Sequence, residues 1–298
     1  MDRASLESFI LVAENRSFSR AAEQQHITQP AISKRIHNLE TLLGAQLLMR
    51  QHKTVQLTHS GTLFLQHAHR LIEAMNDCQT AIRNTRQKIA GNLKLGVSHH
   101  IGLHRMPAFL KMFATIFPDV QLKIRFIDSE EAPSLIQSGA LELAIATLPD
   151  TPPTHIYQQT IWDDPLHFVV SGDHPLAQLN ARQRLSLADL CPHAAILPGN
   201  NTHTGQLVHQ LFRDQQLSLE HFIETNNLET IRMMVSIGLG WAVLPRTMLN
   251  NQLQGLILDQ QTKIPARRLG LLHHHSRVLS TAAEAFIQTL QSQNKAGQ

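Results

Sequence analysis

A helix surface rich in hydrogen-bond donors, within residues 26–40, carries the first side chains that could do chemistry. In the segment HITQPAISKRIHNLE, apolar residues recur at helical spacing and predict one buried stripe: Ile32, Ile36 and Leu39. The other face carries short or cationic polar side chains: Gln29, Ser33, Lys34 and His37. Side chains of these types can bind the base edges and phosphates of a nucleic acid. The alternative is a solvated helix face without a ligand.

The charge distribution favours a polyanionic partner for the first part of the chain. The 298 residues have a net charge of +3, but residues 1–90 contain eleven lysines and arginines against seven acidic residues. Residues 91–298 contain fifteen against sixteen, so the excess positive charge lies at the N-terminal end. With 42% apolar residues, the length suits two or three domains.

Histidines and cysteines are the residue types that could support metal or redox chemistry. The chain has nineteen histidines and a triplet at His273–His275. Neighbouring side chains on a strand point to opposite faces, so the triplet favours a solvated strand end over a metal site. Two cysteines, Cys78 and Cys191 at the start of a strand, do not form a disulfide scaffold and suit a reducing compartment. We expect no metal and no cofactor.

Three short helices and a hairpin are predicted at the N-terminus. Residues 5–14 form an amphipathic helix, and Ser17 caps a second one. The third is the segment 26–40, with Thr28 as its cap and Pro30 in its first turn. Two short helices joined by a tight turn are a helix-turn-helix. The alternating residues that follow predict a wing that holds two cations: Arg50 and Lys53.

Residues 58–90 predict one long helix, with Thr58 as its cap and Gly91 as its end. Its inner positions alternate at spacings of four and three: Phe64, Ala68, Leu71, Met75, Cys78, Ile82, Thr85 and Ile89. Such a heptad seam needs a partner in water, so we predict a homodimer, with Cys78 buried on the seam as a small apolar residue. The alternative is a helix packed against its own domain.

From residue 92 onward the chain alternates strands and helices, which predicts an α/β domain with parallel strands. Strands are expected at 92–98, 120–128 and 141–149, with helices at 106–118 and 132–139. A second run of the same kind follows from DPLHFVV and ends with the strand LGLLHHH and the helix STAAEAFIQTLQ.

Motifs in the first 61 residues carry a family resemblance. They read F-x-x-V-A-x-x-x-S-F-S-x-A-A, T-Q-P-A-I-S-K-R-I-x-x-L-E, L-L-G-A-Q-L-L-x-R and L-T-x-x-G. Weaker echoes are FPDVQL, LELAIA, DPLHFVVSGDHPLA and GLGWAVLP. Over nearly its whole length the chain resembles the LysR-type transcriptional regulators.

The resemblance implies an α/β protein of three parts. They are an all-α winged helix-turn-helix DNA-binding domain at 1–58, a linker and dimerisation helix at 59–90, and an effector-binding domain at 91–298. The last part resembles periplasmic binding proteins and has two lobes: lobe one at 92–161 and 268–298, and lobe two at 162–267. The function implied is sequence-specific transcriptional regulation in the cytoplasm, without enzymatic activity. No apolar run in the sequence suggests a secretion signal or a membrane span.

By resemblance, the donor-rich helix face reads promoter DNA in the major groove. Four residues would face base edges: Gln29, Pro30, Ser33 and Lys34. Thr28 and Arg35 would reach phosphates, and Arg50 and Lys53 would contact the minor groove or the backbone. Lys34 stands where many relatives carry arginine, so the bidentate fork is lost. The expected partners are inverted-repeat DNA, a second copy through the linker helix, a tetramer of such dimers and RNA polymerase.

The resemblance also implies a small, anionic effector held between the lobes. Polar residues at strand ends and helix starts are expected to line its pocket: Ser98, His99, His100, Thr147, Asn200, Asn201, Thr202 and Asn226. The alternative for Ser98 and Thr202 is that they only cap helices.

Two rival functions are a solute-binding transport protein and an enzyme. The first is disfavoured by residues 1–58 and by the missing signal peptide. The second is disfavoured because the sequence has no P-loop, nucleophile elbow or GxGxxG motif. Redox-sensing relatives use a nearby cysteine pair, which this chain lacks.

Overall fold

The structure is a computed structural model that describes residues 1–51, 54–84, 89–219, 221–260, 262 and 266–296. The chain divides into two compact units, Met1–Arg86 and Gln87–Gln298. No helix in the described part of the chain is long and apolar enough to cross a membrane.

The N-terminal unit is helical apart from a two-stranded wing. Its elements are α1 (Arg3–Asn15), α2 (Phe18–Gln25), α3 (Gln29–Leu43), β1 (Leu48–Gln51), β2 (Thr54–Leu57) and α4 (His59–Asn84). Ser17 accepts the N–H of Arg20 at 3.3 Å and begins α2, as predicted. Between α2 and α3, His26 adopts a left-handed conformation with φ of 54°, which makes the turn tight. The predicted winged helix-turn-helix is confirmed.

Two predicted caps have different outcomes. Thr58 accepts the N–H of Gly61 at 2.9 Å and caps α4. Thr28 occupies the N-cap position of α3, but its side chain makes no capping hydrogen bond, so the predicted side-chain cap is wrong. Its backbone carbonyl accepts the N–H groups of Ala31 and Ile32 instead.

The predicted stripe of α3 is buried in the core of this unit: Ile32, Ile36 and Leu39. The first residues of the α4 seam pack into the same core. The Phe64 ring is tilted against that of Phe9 with centroids 5.2 Å apart, and Ala68 is fully buried. The later seam residues are exposed in the single chain: Leu71, Met75, Cys78 and Ile82. The expectation of a buried Cys78 therefore does not hold within one chain.

The predicted end of the long helix is wrong. The described α4 ends at Asn84, and Thr85 lies outside the described residues. Ile89 is not helical and packs against the core of the C-terminal unit. Gly91 has φ of +111° and begins the first strand of that unit instead of ending a helix.

The C-terminal unit alternates strands and helices as expected. Its elements are β3 (Gly91–Ser98), α5 (His99–His104), α6 (Pro107–Ile116), β4 (Val120–Ile127), α7 (Ala132–Gln137), β5 (Leu143–Thr147), β6 (Ile156–Ser171), α8 (Pro175–Asn180), α9 (Leu187–Leu190), β7 (Ala195–Leu197), α10 (His203–Asp214), β8 (Phe222–Glu224), α11 (Leu228–Ser236), β9 (Trp241–Pro245), β10 (Leu253–Gly255), β11 (Ala266–His274) and α12 (Thr281–Ala296). Single 3₁₀ turns lie at Ser129–Glu131 and Arg246–Met248. Cys191 directly follows α9, so its predicted place at the start of a strand is wrong.

The described strands of this unit form a mixed sheet in the order β4-β3-β5-β11-β6-β9-β7-β8, with β10 beside β6. Strand β3 is parallel to β4 and β5, and β7 is parallel to β8 and β9. The expected parallel strands are thus present within each lobe, but β6 and β11 run antiparallel to each other, β6 runs antiparallel to β9, and β11 runs antiparallel to β5.

Two long strands join the two lobes. Strand β6 has 16 residues and pairs with β11, so both continue from one lobe into the other. The lobes keep separate aromatic cores, one built on Phe109, Phe113 and Phe286 and the other on Phe168, Phe212 and Trp241. The two-lobed fold is confirmed. The predicted lobe boundaries, 161/162 and 267/268, fall inside these continuous strands.

Candidate functional sites

The outward face of α3 carries the polar side chains expected to read a ligand. Gln29, Pro30 and Lys34 are exposed, and Ser33 is half-buried. The Gln29 amide donates to the Ser33 hydroxyl at 3.1 Å, which orients both groups on the same face. This face is left exposed because α3 packs into the core through the opposite stripe, Ile32, Ile36 and Leu39.

Arg35, which is expected to reach a phosphate, also makes hydrogen bonds within the N-terminal unit. Its Nη1 donates to the Ser8 hydroxyl at 3.3 Å and to Gln25 Oε1 at 3.2 Å. Ser8 is fully buried and itself donates to Gln25 Oε1 at 2.7 Å. The guanidinium thus ties α3 to α1 and α2, and this nitrogen is engaged before any phosphate is bound. A serine on the inner side of α1 was the sequence signal for this network.

The wing is a two-stranded antiparallel ladder from Leu48↔Leu57 to Gln51↔Thr54. Arg50 lies on β1, where its side chain is not described, and Lys53 lies outside the described residues. Their predicted contacts remain predictions.

A cavity of about 350 Å³ lies between the lobes of the C-terminal unit, at the ends of β3 and β5 and the start of α10. Six of the predicted effector residues line it: Ser98, His99, His100, Thr147, Thr202 and Asn226. Asn200 and Asn201 are exposed and lie outside this lining. The capping geometry of Thr202 gives the reason, because the loop turns around its hydroxyl, which donates to Gly199 O at 2.8 Å.

Sequence reasoning missed a group of polar residues in the lining: Asp128, Ser129, Glu130, Thr204, Thr225, Asn227 and Arg267. Three are charged, and two of these are carboxylates. The cavity is therefore less uniformly suited to an anion than the neutral and histidine residues suggested.

Two buried residues that line this cavity have hydroxyls without a hydrogen-bond partner among the described residues. Ser98 and Thr147 are 8% and 7% exposed. Within the described part of the chain, neither hydroxyl makes a hydrogen bond, although Ser98 occupies the N-cap position of α5. Thr202 does act as a cap and accepts the N–H of Gly205 at 3.0 Å. Capping therefore accounts for Thr202 and does not account for Ser98.

A buried charge cluster lies beside the cavity, where β6 and β11 pair with Asp164 opposite Arg267. Arg267 donates through Nε to Asp164 Oδ2 at 3.1 Å and through Nη1 to Thr204 Oγ1 at 2.9 Å. Asp164 Oδ1 also accepts from Arg105 Nη2 at 2.9 Å. Burial lowers the pKa of the Arg267 guanidinium, and the Asp164 carboxylate opposes that shift. One carboxylate thus serves two guanidinium groups.

Besides the Arg105–Asp164 pair, three hydrogen-bonded contacts among the described residues join lobe one to lobe two across the cleft. His100 Nε2 lies 3.1 Å from Thr247 Oγ1, and His104 Nε2 lies 2.5 Å from Glu229 Oε1. The backbone N–H of His203 donates to Glu130 Oε1 at 2.7 Å. Burial, with the nearby Arg267 charge second, lowers the pKa of His100 to about 3, so its imidazole is neutral at pH 7. These contacts hold the lobes together in the described conformation.

The histidine triplet lies at the end of β11. The His274 ring is 5.8 Å from that of His155, and the His273 ring is 4.7 Å from that of Tyr157. Burial lowers the pKa of both His273 and His274. Among the described residues, no group of three histidine, cysteine or acidic side chains is placed to hold a metal.

Comparison with known proteins covers both units. Residues 4–62 match a family model described as a bacterial regulatory helix-turn-helix protein of the lysR family, and residues 86–295 match the LysR substrate binding domain. The HTH-type transcriptional regulator CbbR of Rhodospirillum rubrum is 28% identical over 290 residues, which cover 96% of this chain and 95% of that protein.

Solved structures show the same fold. Full-length OxyR from Pseudomonas aeruginosa has a TM-score of 0.71 at 22% identity and covers 99% of this chain and 95% of its own. Full-length CbnR in complex with its target DNA has a TM-score of 0.64 at 18% identity, with coverage of 98% and 99%.

Proposed function

Since this chain belongs to the LysR family of DNA-binding transcriptional regulators, we propose that α3 reads promoter DNA under the control of an effector held between the lobes. The observation that carries the proposal is the exposed donor-rich face of α3, opposite a fully buried stripe. A helix of this kind fits the major groove, where each base pair presents its own pattern of donors and acceptors.

In this proposal, Gln29, Pro30, Ser33 and Lys34 contact base edges, and Thr28 binds a phosphate. Arg50 and Lys53 would reach the backbone or minor groove from the wing. Arg35 contributes mainly by fixing the angle of α3, because its Nη1 is bound to Ser8 and Gln25. Lys34 offers a single ammonium group, so its reading of guanine depends on its neighbours.

Dimerisation through α4 is the second part of the proposal. Four exposed apolar side chains on one helix favour burial against a second copy: Leu71, Met75, Cys78 and Ile82. A two-fold dimer reads inverted repeats, and pairs of dimers would form a tetramer on two sites. Contact of the bound assembly with RNA polymerase belongs to the same proposal.

The cleft is proposed to bind a small polar effector and to release it unchanged. Support comes from the unpartnered hydroxyls of Ser98 and Thr147 and from a cavity of about 350 Å³, a volume suited to a small metabolite. A ligand that binds both lobes favours the conformation in which they lie together. We propose no catalytic residue in this cleft.

Footprinting of the purified protein on its own upstream intergenic DNA, across a salt series, tests the proposal. We expect protection of an inverted repeat, with an affinity that falls steeply as salt rises. Lys34→Ala should weaken specific binding by about 1–3 kcal/mol, roughly 5- to 150-fold. Lys111→Ala is the charge-matched control, because Lys111 is exposed on α6 in the other unit. Absence of any DNA binding by folded protein at low salt would overturn the proposal.

A further inference from the structure

The first turn of α10 is bound by a carboxylate that belongs to the opposite lobe. Glu130 lies in the 3₁₀ turn after β4, and its Oε1 accepts the N–H of His203, the first residue of α10, at 2.7 Å. The His203 imidazole Nε2 lies 3.9 Å from the same oxygen. The two residues are 73 positions apart, so this contact depends on the lobes lying together.

The electrostatics of this position favour a negative charge. Helix α10 has 12 residues, and its aligned peptide dipoles place partial positive charge at the first N–H groups. Thr202 caps the N–H of Gly205 and leaves the His203 N–H for another acceptor. Arg267 donates a hydrogen bond to Thr204 in the same turn, and the negative charge of Glu130 raises the pKa of the Arg267 guanidinium. This is where an anionic ligand would bind, and the protein's own carboxylate occupies it.

A second observation within the same cavity points to a ligand. The residues Ser98 and Thr147 are more than nine-tenths buried and line the cavity with Glu130, and their hydroxyls have no hydrogen-bond partner among the described residues. Hydroxyl groups donate to carboxylate oxygens. A small carboxylate in the cavity would supply the acceptor that the protein does not provide.

We propose that Glu130 is a built-in substitute for the effector's carboxylate, and that a small carboxylate anion displaces it from the N-terminus of α10. The inference rests on the proposed effector site and names the ligand class and the residue that competes with it. On displacement, the hydrogen bond from the His203 N–H to Glu130 is replaced by one from the same N–H to the carboxylate of the ligand. Glu130 thereby sets the concentration of effector that is needed to fill the site.

Rescue by propionate, the anion that reproduces the end of a glutamate side chain, tests this inference in the full-length chain. Thermal unfolding of wild type, Glu130→Ala and Glu131→Ala is followed with sodium propionate or with sodium chloride of equal ionic strength. Glu131→Ala removes the same charge one residue away, from an exposed side chain outside the cavity. We expect Glu130→Ala to gain about 2–5 °C more from propionate than wild type gains. Glu131→Ala should respond like wild type.

Glu130→Gln keeps the size of the side chain and serves if Glu130→Ala does not fold. Its neutral amide competes less well for the N-terminus of α10, so the half-saturating concentration of propionate should fall at least about tenfold relative to wild type. An equal response of all variants to propionate overturns the inference. Footprinting of the wild type separates this failure from failure of the proposed function, because operator protection does not depend on the propionate result.

Discussion

Asp164→Asn should destabilise the C-terminal unit strongly. Asp164 is 1% exposed and accepts from two guanidinium groups, those of Arg267 and Arg105. The change keeps the shape of the side chain but removes the one negative charge that these two cations share. It also places an amide N–H₂ donor among guanidinium donors. Arg267 is itself buried, so its charge cannot regain water.

The magnitude follows from the burial of the pair. Loss of one partner from a buried ion pair destabilises a protein by about 3–5 kcal/mol, because the remaining charge stays buried without compensation. For a unit of this size, 1 kcal/mol corresponds to about 2–4 °C in Tm. The expected decrease is therefore about 6–20 °C.

Tryptophan fluorescence gives a clean assay. Both tryptophans of the chain, Trp162 and Trp241, lie in the C-terminal unit, so the signal reports the unfolding of that unit. Asp163→Asn is the matched control, because Asp163 is the preceding residue of β6 and its side chain is exposed. A decrease in stability for Asp164→Asn no larger than that for Asp163→Asn would refute the reasoning.

Two further predictions concern the other described networks. Arg35→Ala should destabilise the N-terminal unit by about 1–3 kcal/mol, since it leaves the buried Ser8 with one partner fewer; Lys34→Ala should change stability by less than about 0.5 kcal/mol. Circular dichroism during urea unfolding separates the two, and equal stability of both variants would contradict the assigned role of Arg35. The depressed pKa of His100, about 3 when folded, means that the unfolded chain binds one more proton between pH 6.5 and pH 3. Stability is thus lost as the pH falls through that window, by roughly 1.4 kcal/mol per pH unit. His100→Gln, which keeps a polar group near Thr247, should remove about one proton from that dependence, and an unchanged pH slope would show that His100 does not cause it.

Local sequence signals predicted the elements that depend on local periodicity. The stripe of α3, the Ser17 and Thr58 caps, and β3 with Ser98 at its end all follow from residues within a few positions of one another. For the same reason, polar residues at strand ends and helix starts identified six of the residues that line the cavity. Asn200 and Asn201 lie outside that lining, because the direction of a loop side chain depends on how its loop turns around Thr202.

Long-range pairing accounts for what the sequence did not predict. The segment around Asp163, Asp164 and Pro165 has the composition of a turn, yet it lies in the middle of β6, because Arg267 pairs with Asp164 across 103 positions. The Glu130 contact with His203 likewise spans both lobes. Periodicity in the sequence does not indicate partners that are so far apart in the chain. The charged residues of the cavity lining, Asp128, Glu130 and Arg267, were therefore not predicted.

The contacts across the cleft set the scale of the free energy by which an effector has to favour one arrangement of the lobes. Among the described residues, three hydrogen-bonded contacts at the cleft involve Glu130, His100 and His104, and each is worth about 0.5–1.5 kcal/mol net in water-accessible surroundings. These three contacts therefore stabilise the conformation in which the lobes lie together by roughly 1.5–4.5 kcal/mol, before the cost of ordering the groups that make them. A ligand shifts this equilibrium only by the difference between its affinities for the two arrangements. A small carboxylate that replaces Glu130 at the N-terminus of α10 in lobe two and also accepts from Ser98 and Thr147 in lobe one contacts both lobes only when they lie together, so it favours that conformation.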